Sequence, residues 1–199
     1  MTVIAVIGSS NAAGVGASTY IRDPDQLTGW CSPGSSWVGL LAERYESSVR
    51  ILNFSQSGMG STWARQRILE TPEISHSQAA VVCTNPILDY ENLHTYYDNL
   101  SAIIELCRKM NIYVVLRGAY SNNSYSRKQY EDMLRLNESI NSMGYSVIDH
   151  MACLSDDCGH YIGGKAYHID GLHPSDAGHK VLFQACIDQK IIENILQNA

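Results

Sequence analysis

The sequence predicts a doubly wound α/β domain in which helices cover both faces of a five-stranded parallel sheet, giving three layers, α/β/α. Short runs of consecutive apolar residues, typical of strands buried on both faces, alternate with longer segments of helical periodicity. The chain has 199 residues, 45% of them hydrophobic, and contains no repeat, low-complexity tract or linker. Length and composition therefore favour a single domain, residues 1–199, with a full core.

The predicted strands are recognised by their continuous apolar character. The first reads VIAVI and contains no polar residue at all. Such runs need apolar cover on both sides of the sheet, and a parallel arrangement with helices between the strands provides it. The strands are predicted over 3–7, 49–54, 79–84, 112–118 and 145–149.

The predicted helices fill the segments between and after these strands. In 35–47, Trp37 and Leu41 recur at helical spacing. Ser35 or Ser36 offers the hydroxyl that caps the start of such a helix. The helices are predicted over 35–47, 61–70, 94–110, 126–142 and 174–197.

The charge pattern argues against two classes of partner. The formal net charge is -6, and the 14 lysines and arginines are scattered rather than clustered. A nucleic-acid-binding face and an anionic membrane surface both call for clustered basic residues. The apolar run at the amino terminus is too short for a membrane span or a signal-peptide core. We therefore expect a cytoplasmic chain, with secretion or a periplasmic location left open if a signal has been removed.

The cysteines indicate thiols rather than a metal site. Three of the six lie in apolar runs typical of buried thiols: Cys83, Cys107 and Cys186. Cys153 and Cys158 flank the loop CLSDDC and are free to pair in an oxidising compartment. Cys158, His160 and His168 suggest zinc ligands, but no C-x-x-C pair supports that interpretation. We predict no metal and no cofactor.

In a doubly wound sheet, ligands bind outside the carboxyl ends of the strands, so the residues that follow each strand are the informative ones. GSSNAAGVGAS, residues 8–18, follows the first strand. Gly8 permits a sharp turn that presents the Ser10 hydroxyl, a candidate nucleophile, at the start of a helix. The alternative is that Ser9, Ser10 and Asn11 only cap that helix. The glycine and lysine pattern of a phosphate-binding loop is missing.

Two further segments offer hydrogen-bond donors at the same edge. Gly58 and Gly60, after the second strand, allow backbone amides to point into the cleft. Asn85, after the third strand, precedes Pro86, which restricts it to an extended conformation and fixes where its amide points. An ordinary tight turn and a turn asparagine are the alternatives for these segments.

The last segment, DGLHPSDAGHKVL at 170–182, contains an acid and a base. Pro174 suits a first helical turn and places His173 on the loop ahead of the last helix. Asp170 can bond one imidazole nitrogen, which fixes the tautomer and leaves the other nitrogen as a base. The alternative is a capping turn with a structural histidine.

Taken together, these residues are the parts that acyl transfer requires. Ser10 is the candidate nucleophile, His173 the candidate base and Asp170 the residue expected to orient it. The amides of Ser10 and Gly58 and the side chain of Asn85 can surround a developing oxyanion.

The four segments resemble the motif blocks of the SGNH (GDSL-type) hydrolases, which are named for Ser, Gly, Asn and His. They read GSS followed by AAGVGAS, then NFSQSGMGS, CTNP and DGLHPSDAGH, and span residues 8 to 182. The resemblance implies a flavodoxin-like three-layer fold with Ser10, His173 and Asp170 as the triad. It also implies an oxyanion hole made by Ser10, Gly58 and Asn85. The chain departs from the family pattern at Ser9, Cys83 and Pro86, which replace Asp, Gly and Asp.

The expected function is a serine esterase that acts through an acyl-enzyme on short acyl groups, especially acetyl, carried by a polar or sugar-like alcohol. Loops rich in Tyr, Asn and Trp, at 19–35, 118–125 and 151–169, favour such an alcohol over a long lipid. Surface loops without a binding role are the alternative. An O-acyltransferase on the same scaffold and a non-catalytic binding module are the rival functions. The sequence leaves the oligomeric state open.

Overall fold

A computed structural model describes residues 1–20 and 32–199 of the chain. Its five strands form one all-parallel sheet in the order β2-β1-β3-β4-β5, which confirms the predicted fold class. The strands are β1 Thr2–Gly8, β2 Val49–Asn53, β3 Ala79–Cys83, β4 Tyr113–Arg117 and β5 Ser146–Ile148. The order reverses at β1, so the crevice between the loops after β1 and β3 is where ligands of such folds bind.

The helices lie close to the predicted segments. They are α1 Ser10–Ala13, α2 Trp37–Arg44, α3 Ser61–Glu70, α4 Pro72–Ser75, α5 Leu93–Lys109, α6 Arg127–Ser142, α7 Met151–Leu154, α8 Asp176–Asp188 and α9 Ile191–Asn198. Two 3-10 segments cover Pro86–Asn92 and Gly164–Ala166. Of the two candidate caps for α2, Ser36 is the one that accepts a hydrogen bond, from the Gly39 amide at 3.1 Å. Within the described residues, no helix has the length and apolar character needed to cross a bilayer.

Alternate residues of the strands pack into two separate hydrophobic cores, one on each face of the sheet. Ile4 and Val6 of β1 pack with apolar residues of α2, α8 and α9 on one face of the sheet. Ala5 and Ile7 pack with those of α3, α5 and α6 on the other. Since both faces bury apolar side chains, the strands carry few polar residues, as the sequence indicated.

The carboxyl-terminal segment differs from its prediction. A single helix over 174–197 is wrong, because α8 and α9 are separate helices joined through Lys190, whose left-handed φ of 53° breaks the helical path. Pro174 does not occupy the first helical turn either. Ser175 is the N-cap, with its hydroxyl accepting from the Gly178 amide, so Pro174 lies in the preceding extended segment and bridges to His168.

Candidate active site

Ser10 lies at the carboxyl edge of the sheet, where β1 passes into α1. The Ser9 amide donates to the Cys83 carbonyl at 3.3 Å, and the Gln56 amide donates to the Gly8 carbonyl at 2.9 Å. These bonds tie the turn before Ser10 to the ends of both neighbouring strands. A side chain at Gly8 would collide with the Cys83 carbonyl, so only glycine permits this close approach. The Ser9 side chain makes no capping bond, so it does not act as the helix cap considered above.

Asn85 follows β3 and is almost fully buried. Its Nδ2 donates to the Tyr120 hydroxyl at 2.9 Å, and its Oδ1 accepts from the Ile87 amide at 3.4 Å. The side-chain amide carries two N–H groups, so one of them remains for another acceptor. Asn85 is therefore both the cap of a 3-10 segment and a fixed donor at the sheet edge.

Asp170 and His173 form a hydrogen-bonded pair on the loop before α8. The His173 Nδ1–H donates to Asp170 Oδ2 at 2.7 Å, while Asp170 Oδ1 accepts from the amides of Leu172 and His173. With Nδ1 as the donor, Nε2 is the ring nitrogen that can accept a proton. Burial raises the pKa of Asp170, but the hydrogen bonds from the His173 ring and the two amides outweigh it, and the net shift is downward. The carboxylate therefore stays ionised and fixes the orientation of the His173 ring.

The loop that carries His173 packs against the turn that follows Ser10. The Val15 amide donates to the Ser10 carbonyl at 3.0 Å, closing that turn. A side chain at Gly16 would strike the Pro174 carbonyl and lie 3.3 Å from His173 Cβ. The Ser18 amide donates to Asp176 Oδ1 at 2.7 Å. Residues from the two ends of the chain therefore meet at one place on the sheet edge.

Three residues that the sequence did not single out for this role brace the His173 loop. The Asn123 amide donates to the Gly171 carbonyl at 2.8 Å, and Asn123 Oδ1 accepts from the Tyr161 amide at 2.8 Å. The Tyr161 hydroxyl donates to the Leu172 carbonyl at 3.0 Å. His168, considered above only as a zinc ligand, accepts the Gly171 amide at Nδ1. The polar loop at 118–125 hinted at Asn123, but nothing local indicated its partners.

Tyr120 and Arg117, which the sequence analysis did not single out, contact Asn85 and the two residues before it. Both side chains are buried, and the Arg117 guanidinium carbon lies 4.7 Å from the centroid of the Tyr120 ring. Arg117 Nη2 donates to the carbonyls of Cys83 at 2.9 Å and Thr84 at 3.3 Å. The sequence showed Arg117 only as a polar residue at the end of an apolar strand.

Gly58 lies in an exposed turn between β2 and α3, two residues after the segment bonded to Gly8. Its φ of +78° is a left-handed conformation that favours glycine. Gly60 is the N-cap of α3, and the neighbouring Ser61 amide donates to Asp89 Oδ2 at 2.9 Å.

The predicted buried thiols are confirmed, since Cys83, Cys107 and Cys186 are inaccessible. Cys153 and Cys158 are unpaired thiols, and Cys153 Sγ contacts the His150 carbonyl. Among the described residues, the ligand atoms that lie close enough for a metal belong to Asp156, Asp157 and Cys158 rather than to the cysteine and two histidines considered above. Part of the loop at 19–35, residues 21–31, lies outside the described residues.

Comparison with known proteins identifies relatives in family and in fold. The GDSL-like Lipase/Acylhydrolase family matches residues 6–181. Among solved structures, the esterase EstA from Pseudoalteromonas sp. superposes with a TM-score of 0.73 at 16% identity, covering 100% of each chain. A lipolytic protein of the G-D-S-L family from Veillonella parvula gives 0.72 at 18%, and TesA gives 0.73 at 18%; each covers 94% of this chain and 97% of its own. No curated protein matches the sequence.

Proposed function

Because the chain belongs to the GDSL-like lipase/acylhydrolase family, whose members hydrolyse esters, we propose that it cleaves carboxylic esters with Ser10 as nucleophile, His173 as base and Asp170 as its partner. The observation that carries the proposal is the 2.7 Å bond from His173 Nδ1 to Asp170 Oδ2 on a loop packed against the turn after Ser10. The His173 side chain is 15% exposed, so the ring is sheltered but not sealed into the core.

The reaction proceeds in two balanced halves. The Ser10 oxygen attacks the ester carbonyl while His173 Nε2 takes the hydroxyl proton, and the tetrahedral intermediate carries the negative charge on the former carbonyl oxygen. His173 returns the proton to the departing alcohol as the acyl-enzyme forms. Water then attacks the acyl-enzyme, giving its proton to His173, and the carboxylic acid leaves as Ser10 regains its proton. Asp170 stays ionised throughout and stabilises the imidazolium.

The oxyanion is held by the backbone amides of Ser10 and Gly58 and by the side-chain amide of Asn85. Asn85 supports this role best, since one of its N–H groups is fixed by Tyr120 and the other is free for the substrate. Removing one donor of this kind costs about 10²–10³ in kcat. Asn85→Ala should therefore lower kcat strongly and change KM much less.

The substrate is a short acyl ester, with acetyl favoured, of a polar or sugar-like alcohol. The loop at 118–125 is rich in Asn, Ser and Tyr, and the loop at 151–169 carries two further tyrosines, a composition that suits a polar alcohol better than a lipid chain. A series of p-nitrophenyl esters from acetate to octanoate, together with acetylated sugars, tests this preference. A rate that rises steadily with chain length would contradict it.

The direct test of the function is ester turnover by Ser10→Ala. The variant should lose nearly all activity on p-nitrophenyl acetate while keeping the melting temperature of the wild type. Ser142→Ala, an exposed serine at the end of α6, is the matched control and should keep full activity. Full activity in purified Ser10→Ala would show that the proposed mechanism is wrong.

A further inference from the structure

The Tyr120 hydroxyl lies where the residues of the proposed mechanism converge, although no proton transfer described above uses it. It accepts a hydrogen bond from Asn85 Nδ2 at 2.9 Å. Burial raises the pKa of Tyr120, whereas the charge of Arg117 and hydrogen bonding with the Ser10 hydroxyl oppose that rise and the charge of Asp170 adds to it. The phenol therefore stays neutral while it bonds Asn85 and lies within range of the Asp170 charge.

The Arg117 guanidinium packs over the face of the Tyr120 ring. Its guanidinium carbon lies 4.7 Å from the ring centroid, within the range of a cation–π contact. The same group donates to the carbonyls of Cys83 and Thr84, the two residues that lead into Asn85. One buried side chain thus fixes both the tyrosine ring and the backbone that carries the asparagine.

The Arg117 charge is costly in this position. The residue is 1% exposed, and no carboxylate among residues 1–20 and 32–199 forms an ion pair with it. Burying an unpaired charge opposes folding, and a well-packed apolar residue often serves stability as well or better. The contacts that Arg117 does make all lead toward Asn85 and Tyr120, which points to a role in placing them.

The Asn85 amide needs this placement because its other contact is weak. Ile87 holds Oδ1 at a long 3.4 Å, whereas Tyr120 holds Nδ2 at 2.9 Å. Without the phenol oxygen, the amide group can rotate about its last side-chain bond, and its free N–H no longer keeps one direction.

We propose that Tyr120, supported by Arg117, is a positioning residue for ester hydrolysis, because its hydroxyl fixes the Asn85 amide so that the second N–H of Nδ2 faces the developing oxyanion. The inference rests on the proposed function. Since the oxyanion exists only in the transition state and the intermediate, the effect belongs to kcat rather than to KM.

The first test compares Tyr120→Phe with Tyr113→Phe. Tyr113 begins β4, at the end of that strand opposite Tyr120, and its hydroxyl bonds Ser146 Oγ at 2.7 Å, so it controls for the loss of a phenol hydrogen bond. Tyr120→Phe should lower kcat on p-nitrophenyl acetate by about tenfold or more, less than removal of an oxyanion donor itself, with KM changed less than about twofold. Tyr113→Phe should keep the wild-type kcat. Equal kcat in both variants and the wild type would overturn the proposal.

The second test is a double-mutant cycle. If Tyr120 acts through Asn85, adding Tyr120→Phe to Asn85→Ala should cause little further loss, because the amide that it positions is already gone. Independent, multiplicative losses would show that Tyr120 acts on stability or elsewhere in the site, and would overturn the proposal. Failure of the proposed function is a separate outcome, because it would appear as full ester turnover in Ser10→Ala. Loss of turnover in Ser10→Ala together with multiplicative losses in the cycle would contradict the role of Tyr120 alone.

Arg117→Lys provides the same test if Tyr120→Phe does not fold. Lysine keeps the charge but loses the planar group that stacks on the ring and bonds two carbonyls at once. Among correctly folded molecules, counted by thermal unfolding, kcat should fall with KM nearly constant, and the fall should disappear in the Asn85→Ala background. A change in KM at constant kcat would contradict the proposed role. A fall in kcat that persists in the Asn85→Ala background would contradict it as well.

Discussion

Three histidines close to the last long helix show how burial decides what this side chain can do. His173 is partly exposed and hydrogen-bonds a carboxylate. His150 and His179 are 0% exposed and lie in the core beside Trp37. Burial lowers the pKa of His179 to about 4 and, together with the positive charge of Arg117, the pKa of His150 well below its ordinary value. Of the three rings, that of His173 is the one that hydrogen-bonds directly to a carboxylate, Asp170 Oδ2.

Histidine serves opposite purposes at the sheet edge and in the core. In the core, His179 accepts from the Trp37 amide and faces the Val15 carbonyl, so a neutral ring joins α8 to α2 and to the turn after Ser10. At the edge, Asp170 orients the His173 ring on a loop that packs against the turn after Ser10. Catalysis needs a base that can change protonation, and a core histidine held neutral cannot serve.

Substitutions of His173 and of His150 should have opposite consequences for activity and stability. His173→Ala should lower kcat/KM for p-nitrophenyl acetate by about 10³ or more, with little change in melting temperature. His150→Ala should do the reverse, lowering the melting temperature while the folded fraction keeps the wild-type kcat/KM. Chemical denaturation and ester kinetics on both variants check it. Unfolded His173→Ala, or inactive but fully stable His150→Ala, would reverse the assignment of the two regions.

A smaller loss of activity is expected for Asp170→Ala. The base remains in place but loses the bond that fixes its tautomer and direction. The loss of kcat in Asp170→Ala should therefore be smaller than the loss in His173→Ala, by about one to two orders of magnitude. Asp132→Ala, a carboxylate on the distant helix α6, should leave kcat unchanged. Activities of Asp170→Ala and His173→Ala that are equally low would mean that the carboxylate does more than orient the ring.

The brace around the His173 loop should have a more modest effect. Asn123→Ala removes the side-chain oxygen that accepts from the Tyr161 amide and the amide group in contact with His168. We expect kcat to fall by about tenfold, because a loosely held Asp170–His173 pair spends less time in the productive geometry. Asn141→Ala, on the far end of α6, is the control. A wild-type kcat in Asn123→Ala would show that the backbone contacts suffice.

The core histidine His179 should make the free energy of unfolding depend on pH. The pKa of His179 falls from 6.5 to about 4 on folding, so in acid the unfolded chain binds a proton that the folded chain does not. The stabilisation from a neutral His179 is therefore complete above pH 6.5 and is lost as the pH falls from 6.5 toward 4. The free energy of unfolding should drop less steeply between pH 7 and pH 5 in His179→Gln than in the wild type. Parallel curves would contradict the shift.

The sequence was sufficient for features that depend on local pattern. Continuous apolar runs located all five strands, and the rule that ligands bind at strand ends pointed to Ser10 and Asn85. His173 was identified instead from its neighbours Asp170 and Pro174. Contacts between distant side chains were beyond its reach. Nothing near Tyr120 indicates that its hydroxyl meets Asn85, 35 residues earlier, because that contact exists only once β3 and β4 pair. The break at Lys190 was missed because apolar spacing continues through it while one left-handed residue turns the chain.

The proposed mechanism requires Ser10 and His173 to act together, so both should determine the rate at which a fluorophosphonate modifies the protein. Intact-mass and peptide mass spectrometry should show one adduct on wild type, located on Ser10, and a rate slower by about a hundredfold or more in His173→Ala, because the hydroxyl then lacks its base. An adduct on another residue, or equal rates in the two proteins, would contradict the account.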